Sequence, residues 1–143
     1  MRKWTKNKGF VDLLITDKKN HYTVIEFKNI PVRYLDLMGE ENIDKAEQLE
    51  AMRLNEILKL KFKGDKFRSG TIQNWIDDGE CCDSNSGKVR KQLQSHVKGF
   101  TVQDEIAGKD FRAFVVVIVG LRQILVREMD RDGNWVSEFQ LAK

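Results

Sequence analysis

Two apolar runs separated by one polar turn constrain the fold of this chain more than any other stretch. Phe10–Thr16 and Tyr22–Lys28 are rich in β-branched, aliphatic and aromatic residues, and Asp17-Lys-Lys-Asn-His21 between them is polar. That alternation of run and turn reads as a β-hairpin. A turn centred near Lys19 sets Asp12 opposite Glu26, and directly paired residues point to the same face of a sheet. Lys28 shares that face because strand side chains alternate with period 2. Both faces are otherwise apolar: Val11, Leu13, Ile15, Ile25 and Phe27 on one, Phe10, Leu14 and Val24 on the other. Strands of this kind belong inside a sheet covered on both sides. Charges within them must be paired, hydrated or bound to metal.

The hairpin therefore gathers two carboxylates and one amine, Asp12, Glu26 and Lys28, on a patch able to hold a hard divalent cation beside a cationic group. The competing reading is a solvated Glu-x-Lys strand. Gly9-x-x-Asp12, a short gap and Glu26-x-Lys28 followed by helix resemble the core of the PD-(D/E)xK nuclease superfamily. Ile25-Glu-Phe-Lys28 is similar to the second strand of the RecB-like nuclease domains found behind AAA-ATPase-like domains. The resemblance covers residues 9–28 closely and 88–127 more loosely, while about 36–87 matches no family pattern.

A second motif lies in Gly87–Phe100. Val89, Leu93, Val97 and Phe100 form one apolar helical stripe, and Gln92 and His96 stand one turn apart on an adjacent face. RecB-like nucleases carry Gln-x-x-x-Tyr on the helix after the catalytic strands, and Gln92-x-x-x-His96 resembles it with His in place of Tyr. The resemblance implies that Gln92 reaches Lys28 or a metal-bound water through its amide, with His96 as an auxiliary group. Two polar residues flanking a buried stripe are the plainer alternative.

The fold implied is α/β: a restriction-endonuclease-like mixed central β-sheet flanked by helices, with a helical insertion over about 36–86 and an extra C-terminal β-hairpin. A chain of 143 residues with 41% hydrophobic content and a single proline fits one packed domain, 1–143. No apolar run approaches a membrane span, and the charged N-terminus lacks the apolar segment of a signal peptide. Cys81 and Cys82 are adjacent, so a mutual disulfide is strained, and they lack a second Cys/His pair at zinc-like spacing. Free thiols point to an intracellular protein, in cytoplasm or nucleus.

A net charge of +3 makes no polycation, but the basic residues cluster. Lys59, Lys61, Lys63, Lys66 and Arg68 interleave with aromatic residues. Arg2, Lys3, Lys6 and Lys8 precede the first strand, and Lys88, Arg90 and Lys91 precede Gln92. Converging, they suit phosphates and salt-dependent, sequence-independent binding; separately, they are solvated faces.

Elsewhere, Pro31 disfavours helix at Ile30. Glu40–Phe62 reads as one long helix with a drifting stripe of Ile43, Ala46, Leu49, Met52, Leu54, Ile57 and Leu58. Thr71 caps a short helix Ile72–Asp77, and Glu80–Ser86 is a polar loop. Phe111–Val119 has the composition of a buried central strand. Gly120 turns into Gln123–Glu128, and Asp130–Gly133 into Trp135–Leu141. The family core opens with a helix and a strand before its Asp-bearing strand, and only eight residues precede Gly9. The chain thus resembles the C-terminal part of a longer protein, with an AAA-ATPase-like domain upstream, or a core without the first helix.

The function implied is metal-dependent hydrolysis of phosphodiester bonds in DNA, less readily RNA. Asp12, Glu26 and the Phe27 carbonyl would hold Mg²⁺ or Mn²⁺, and Lys28 would orient water or stabilise developing charge. Two alternatives are an inactive nuclease-like module that binds nucleic acid or protein, and a junction-resolving endonuclease acting as a dimer.

Overall fold

A computed structural model describes residues 3–5, 9–11, 13–16, 21–38, 42–63, 70–77, 88–102 and 108–142. The architecture is α/β. Strands β1 (Lys3–Thr5) and β2 (Gly9–Val11) form an antiparallel pair. A five-stranded sheet has the order β3 (Leu13–Thr16), β4 (His21–Ile30), β5 (Asp110–Val119), β6 (Gln123–Met129) and β7 (Gln140–Leu141). The helices are α1 (Asn42–Ala51), α2 (Leu54–Leu58), α3 (Ile72–Ile76) and α4 (Lys88–Thr101). Among the described residues no helix is long and apolar enough to cross a membrane.

The hairpin has the register that a turn near Lys19 requires, with Leu13 paired to Ile25, Leu14 to Val24 and Thr16 to Tyr22. Ahead of Gly9 the described residues hold a three-residue strand, β1, which belongs with β2 to a two-stranded sheet. β4 and β5 run parallel. Their first residues meet, His21 Nε2 lying 3.1 Å from Asp110 Oδ2, and their last adjoin, Gly120 N donating to Ile30 O at 2.8 Å. The other pairings of the sheet follow hairpins, so the sheet is mixed.

The β5–β6 hairpin turns through two consecutive left-handed residues, Gly120 (φ 56°) and Leu121 (φ 58°). Arg122 N donates to Val119 O at 3.0 Å across it, the arrangement of a type I′ turn, whose twist matches the flanking strands. A Cβ at Gly120 would stand 2.5 Å from Leu49 Cδ1, and Leu49 is fully buried. Leu121 does carry a Cβ, at a cost of roughly 1–2 kcal/mol, and is 75% exposed.

The residues divide into two compact units. The first comprises 1–28, 92–116 and 126–139; its buried apolar residues include Val24, Leu93, Val97, Phe100, Val115 and Met129. The second comprises 29–91, 117–125 and 140–143, with Leu35, Leu49, Ile57, Ile72, Val89 and Leu125 buried. The α4 stripe is buried along its length: Val89, Leu93, Val97 and Phe100 are each at most 1% exposed.

Three expectations are corrected. The long helix over 40–62 is broken, because the apolar stripe shifts phase between Met52 and Leu54. Arg53 is extended (φ −87°, ψ 163°) and restarts the helix, its N–H bonded to Glu56 Oε1 at 3.0 Å. Lys61 and Phe62 then leave the helix for β-bridges to Thr71 and Leu35. Secondly, the strands are not covered on both sides. Ile15 and Phe27 remain 47% and 43% exposed, and Phe114 and Val116 are half-buried while Ala113 and Val115 are fully buried. Thirdly, Trp135–Leu141 is a strand only at Gln140–Leu141. The segment before it wraps Arg127, whose guanidinium lies 4.6 Å from the Trp135 ring and 5.1 Å from that of Phe139. Arg127 Nε donates to Ser137 O at 2.6 Å, which takes that carbonyl out of the ladder. The short helix expected after Thr71 is present as α3, with Asn74 N bonded to the Thr71 hydroxyl at 3.1 Å.

Candidate active site

Alternation along β4 sends Val24, Glu26, Lys28 and Ile30 to one face. Along α4, Gln92 and His96 are four residues apart and so point the same way. Two residues of strand advance about 6.6 Å and four of helix about 6 Å, so the two pairs can meet side by side. They do meet, in reverse order, which sets α4 antiparallel to β4. Lys28 Nζ donates to Gln92 Oε1 at 2.6 Å, and His96 Nδ1 lies 2.7 Å from Glu26 Oε2. Glu26 Oε1 stands 3.5 Å from Lys28 Nζ, closing a chain His96–Glu26–Lys28–Gln92. The Glu26 and His96 side chains are buried, at 7% and 8% exposure, while Lys28, between Glu26 and Gln92, is 22% exposed.

Each contact has a chemical consequence. The carboxylate can only accept from His96, so the ring is either the Nδ1–H tautomer or imidazolium. Both settings fix the Glu26 rotamer through Oε2 and leave Oε1 directed toward Lys28. The Gln92 carbonyl takes one of the three ammonium protons of Lys28, orienting the remaining two.

Asp12 lies outside the described residues. Among those described, no group of three or more His, Cys, Asp or Glu is placed to hold a metal ion. Phe27 is exposed on the face opposite Glu26, and its carbonyl belongs to the β4 backbone. Of the basic residues, Lys59, Lys61, Lys63, Lys88 and Lys91 are exposed and Arg90 is half-buried, its Nε without a hydrogen-bond partner among the described residues. Lys66, Arg68, Arg2, Lys6, Lys8, Cys81 and Cys82 are outside the described residues, as is the side chain of Lys3.

One lysine was not singled out by its sequence context. Lys45 on α1 is buried at 7% exposure. Its contact with the Lys63 amine, then burial, holds its pKa below the ordinary lysine value, with Asp36 pulling the other way. Its position four residues before Leu49, on the inner side of α1, is the only sequence signal. A lowered lysine pKa means that protonation opposes folding. The cost is present below the folded-state pKa and is relieved as pH rises toward the ordinary value. Lys45→Met is therefore expected to raise Tm at pH 7 and to flatten the alkaline gain in stability. Thermal melts at pH 7 and 10 check this, and identical Tm values for both proteins at both pH values would rule it out.

No family model and no solved structure matches the chain. A stretch of 75 residues, 52% of the chain, is 29% identical to the DNA-directed RNA polymerase subunit alpha of Fusobacterium nucleatum subsp. nucleatum. The chain spans 23% of the length of that protein.

Proposed function

We propose that the chain is a metal-dependent nuclease of the PD-(D/E)xK type that hydrolyses phosphodiester bonds in DNA or, less readily, RNA. The observation that carries this reading is the 2.6 Å bond from Lys28 Nζ to Gln92 Oε1. It joins the Glu-x-Lys strand to the helix that leads on to a parallel strand, β5, as the family pattern requires. A restriction-endonuclease-like core is the finer fold proposed for the mixed sheet. Similarity to a subunit of a DNA-directed polymerase is in keeping with a nucleic-acid partner.

The donor set suits a hard cation. Glu26 offers Oε1 while His96 holds Oε2, a positioning contact of the kind that orients metal-binding carboxylates. Asp12 and the Phe27 carbonyl would complete the protein ligands. Bound there, Mg²⁺ or Mn²⁺ would polarise the phosphate and lower the pKa of a coordinated water. Lys28, oriented by Gln92, would meet the charge that develops on the phosphoryl oxygens.

The test is plasmid cleavage with Mn²⁺ by wild type and Lys28→Ala. Cleavage should fall by roughly 10²–10³-fold, while DNA affinity should change little, since one amine is a small part of a multi-phosphate contact. Full activity in the variant would sink the assignment. The burial of Glu26 against His96, where the family has Tyr, favours a second reading as an inactive nucleic-acid-binding module. Calorimetry separates the two, because such a module would take up neither Mg²⁺ nor Mn²⁺ at Glu26.

A further inference from the structure

The hairpin turn after β5 keeps a residue that its backbone disfavours. Position 121 is left-handed (φ 58°), where Gly or Asn fits without strain. Leucine stands there 75% exposed, so its side chain contributes little to a core that would offset the strain. Strain of this sort at a surface position points to a contact made outside the chain.

Leu121 also borders a cavity of about 250 Å³, with Asn29, Pro31, Val32, Arg33 and Gly120. The cavity lies just past the C-terminal ends of the parallel strands β4 and β5, where open α/β sheets gather their ligands. Its size is slightly below the roughly 300 Å³ at which ordinary ligand pockets begin, which fits one ring system rather than an extended molecule. Pro31, Val32 and Leu121 supply apolar walls.

Neither polar group has a charged partner among the described residues. The Asn29 amide, a donor and an acceptor together, makes no hydrogen bond with another described residue. The Arg33 guanidinium lies 4.7 Å from the Tyr34 ring centroid and 3.4 Å from its hydroxyl, with no carboxylate partner among the described residues. Stacking on the ring holds the guanidinium plane and leaves its donor edge for an anion. An apolar slot, an amide with both hydrogen-bonding roles and a ring-stacked guanidinium with no carboxylate partner among the described residues suit a flat heterocycle carrying a phosphate.

We propose that this cavity binds a nucleoside monophosphate unit, its base against Leu121 and Pro31, its edge on Asn29 and its phosphate on Arg33. The site needs no cleavage, so its test is separate from that of the nuclease reading. Binding of dAMP, deoxyadenosine and inorganic phosphate is measured by calorimetry on wild type, Arg33→Gln, Leu121→Gly and Leu121→Asn. The nucleotide should bind at least tenfold more tightly than either fragment, and Arg33→Gln should reduce it to the level of deoxyadenosine. Leu121→Gly and Leu121→Asn should raise Tm by about 3–5 °C while weakening dAMP several-fold. Gain in stability with loss of binding is the signature of a residue retained for its ligand. Binding of dAMP no tighter than that of phosphate, or unchanged in the Leu121 variants, would overturn the proposal, as would a fall in Tm in both.

Discussion

Glu26→Gln is expected to lower Mn²⁺-dependent DNA cleavage by about 10²–10³-fold or more, with the fold unchanged by circular dichroism. The substitution is isosteric, and the amide oxygen can still accept from His96 Nδ1 at the place of Oε2, 2.7 Å away. What is lost is charge. The amide nitrogen then faces Lys28 where Oε1 stood at 3.5 Å, so a hard cation loses a carboxylate and the lysine loses its attraction. Glu26→Ala is the poorer experiment. It leaves the buried His96 Nδ1 without an acceptor, which costs about 1–3 kcal/mol and confounds chemistry with folding. Cleavage by Glu26→Gln at the wild-type rate would remove Glu26 from the chemistry and leave the chain His96–Glu26–Lys28–Gln92 as a structural network.

The parts of this site that sequence could reach are those governed by fixed periods. Period 2 along Tyr22–Lys28 put Glu26 and Lys28 on one face, and period 3.6 along Gly87–Phe100 separated the buried stripe from Gln92 and His96. Periodicity alone did not say which helix residue meets Glu26 and which meets Lys28; the reach of Gln92 to Lys28, a 2.6 Å bond in the structure, was legible only through the family resemblance. The pairing depends on the direction in which α4 crosses β4, which is tertiary information. The partner of His96 was not legible either; its direct 2.7 Å contact with the carboxylate requires that the helix sit close. The break after Ala51 had a visible cause, the phase shift between Met52 and Leu54, but helical propensity on both sides masked it. The exposed faces of Phe27 and Ile15 were unreadable for a related reason. A run apolar on both sides says that a cover is favourable, and composition alone does not supply one. Arg127 shows the limit most plainly. A charged residue at an inward position of β6 would ordinarily contradict a buried strand, and only the later Trp135, Ser137 and Phe139, folding back over it, make that position tolerable.

Phe100→Ala is expected to cost about 3–5 kcal/mol, the range for deleting a fully buried phenylalanine. Phe100 is 0% exposed in the last turns of α4, its ring centroid 6.4 Å from that of Phe111 near the start of β5. Domains of this size are stable by only about 5–15 kcal/mol, so the loss is a large fraction of the total and should lower Tm by roughly 10–20 °C. Lys98→Ala, two residues earlier but exposed, should stay within about 0.5 kcal/mol of wild type. The comparison bears on function because α4 also carries Gln92 and His96. Loosening its C-terminal anchor should raise the hydrogen-exchange rates of the amides through that helix before those of β5 and β6. Cleavage should then fall with exchange across α4 even at temperatures where the protein is folded, since the 2.6 Å bond to Lys28 depends on the helix lying in place. Guanidinium melts and exchange on the two variants provide the measurement. If Phe100→Ala were as stable as Lys98→Ala, α4 would not be anchored through its apolar stripe. If it were destabilised yet cut DNA undiminished below its transition, orientation of Lys28 by Gln92 would be dispensable to the chemistry.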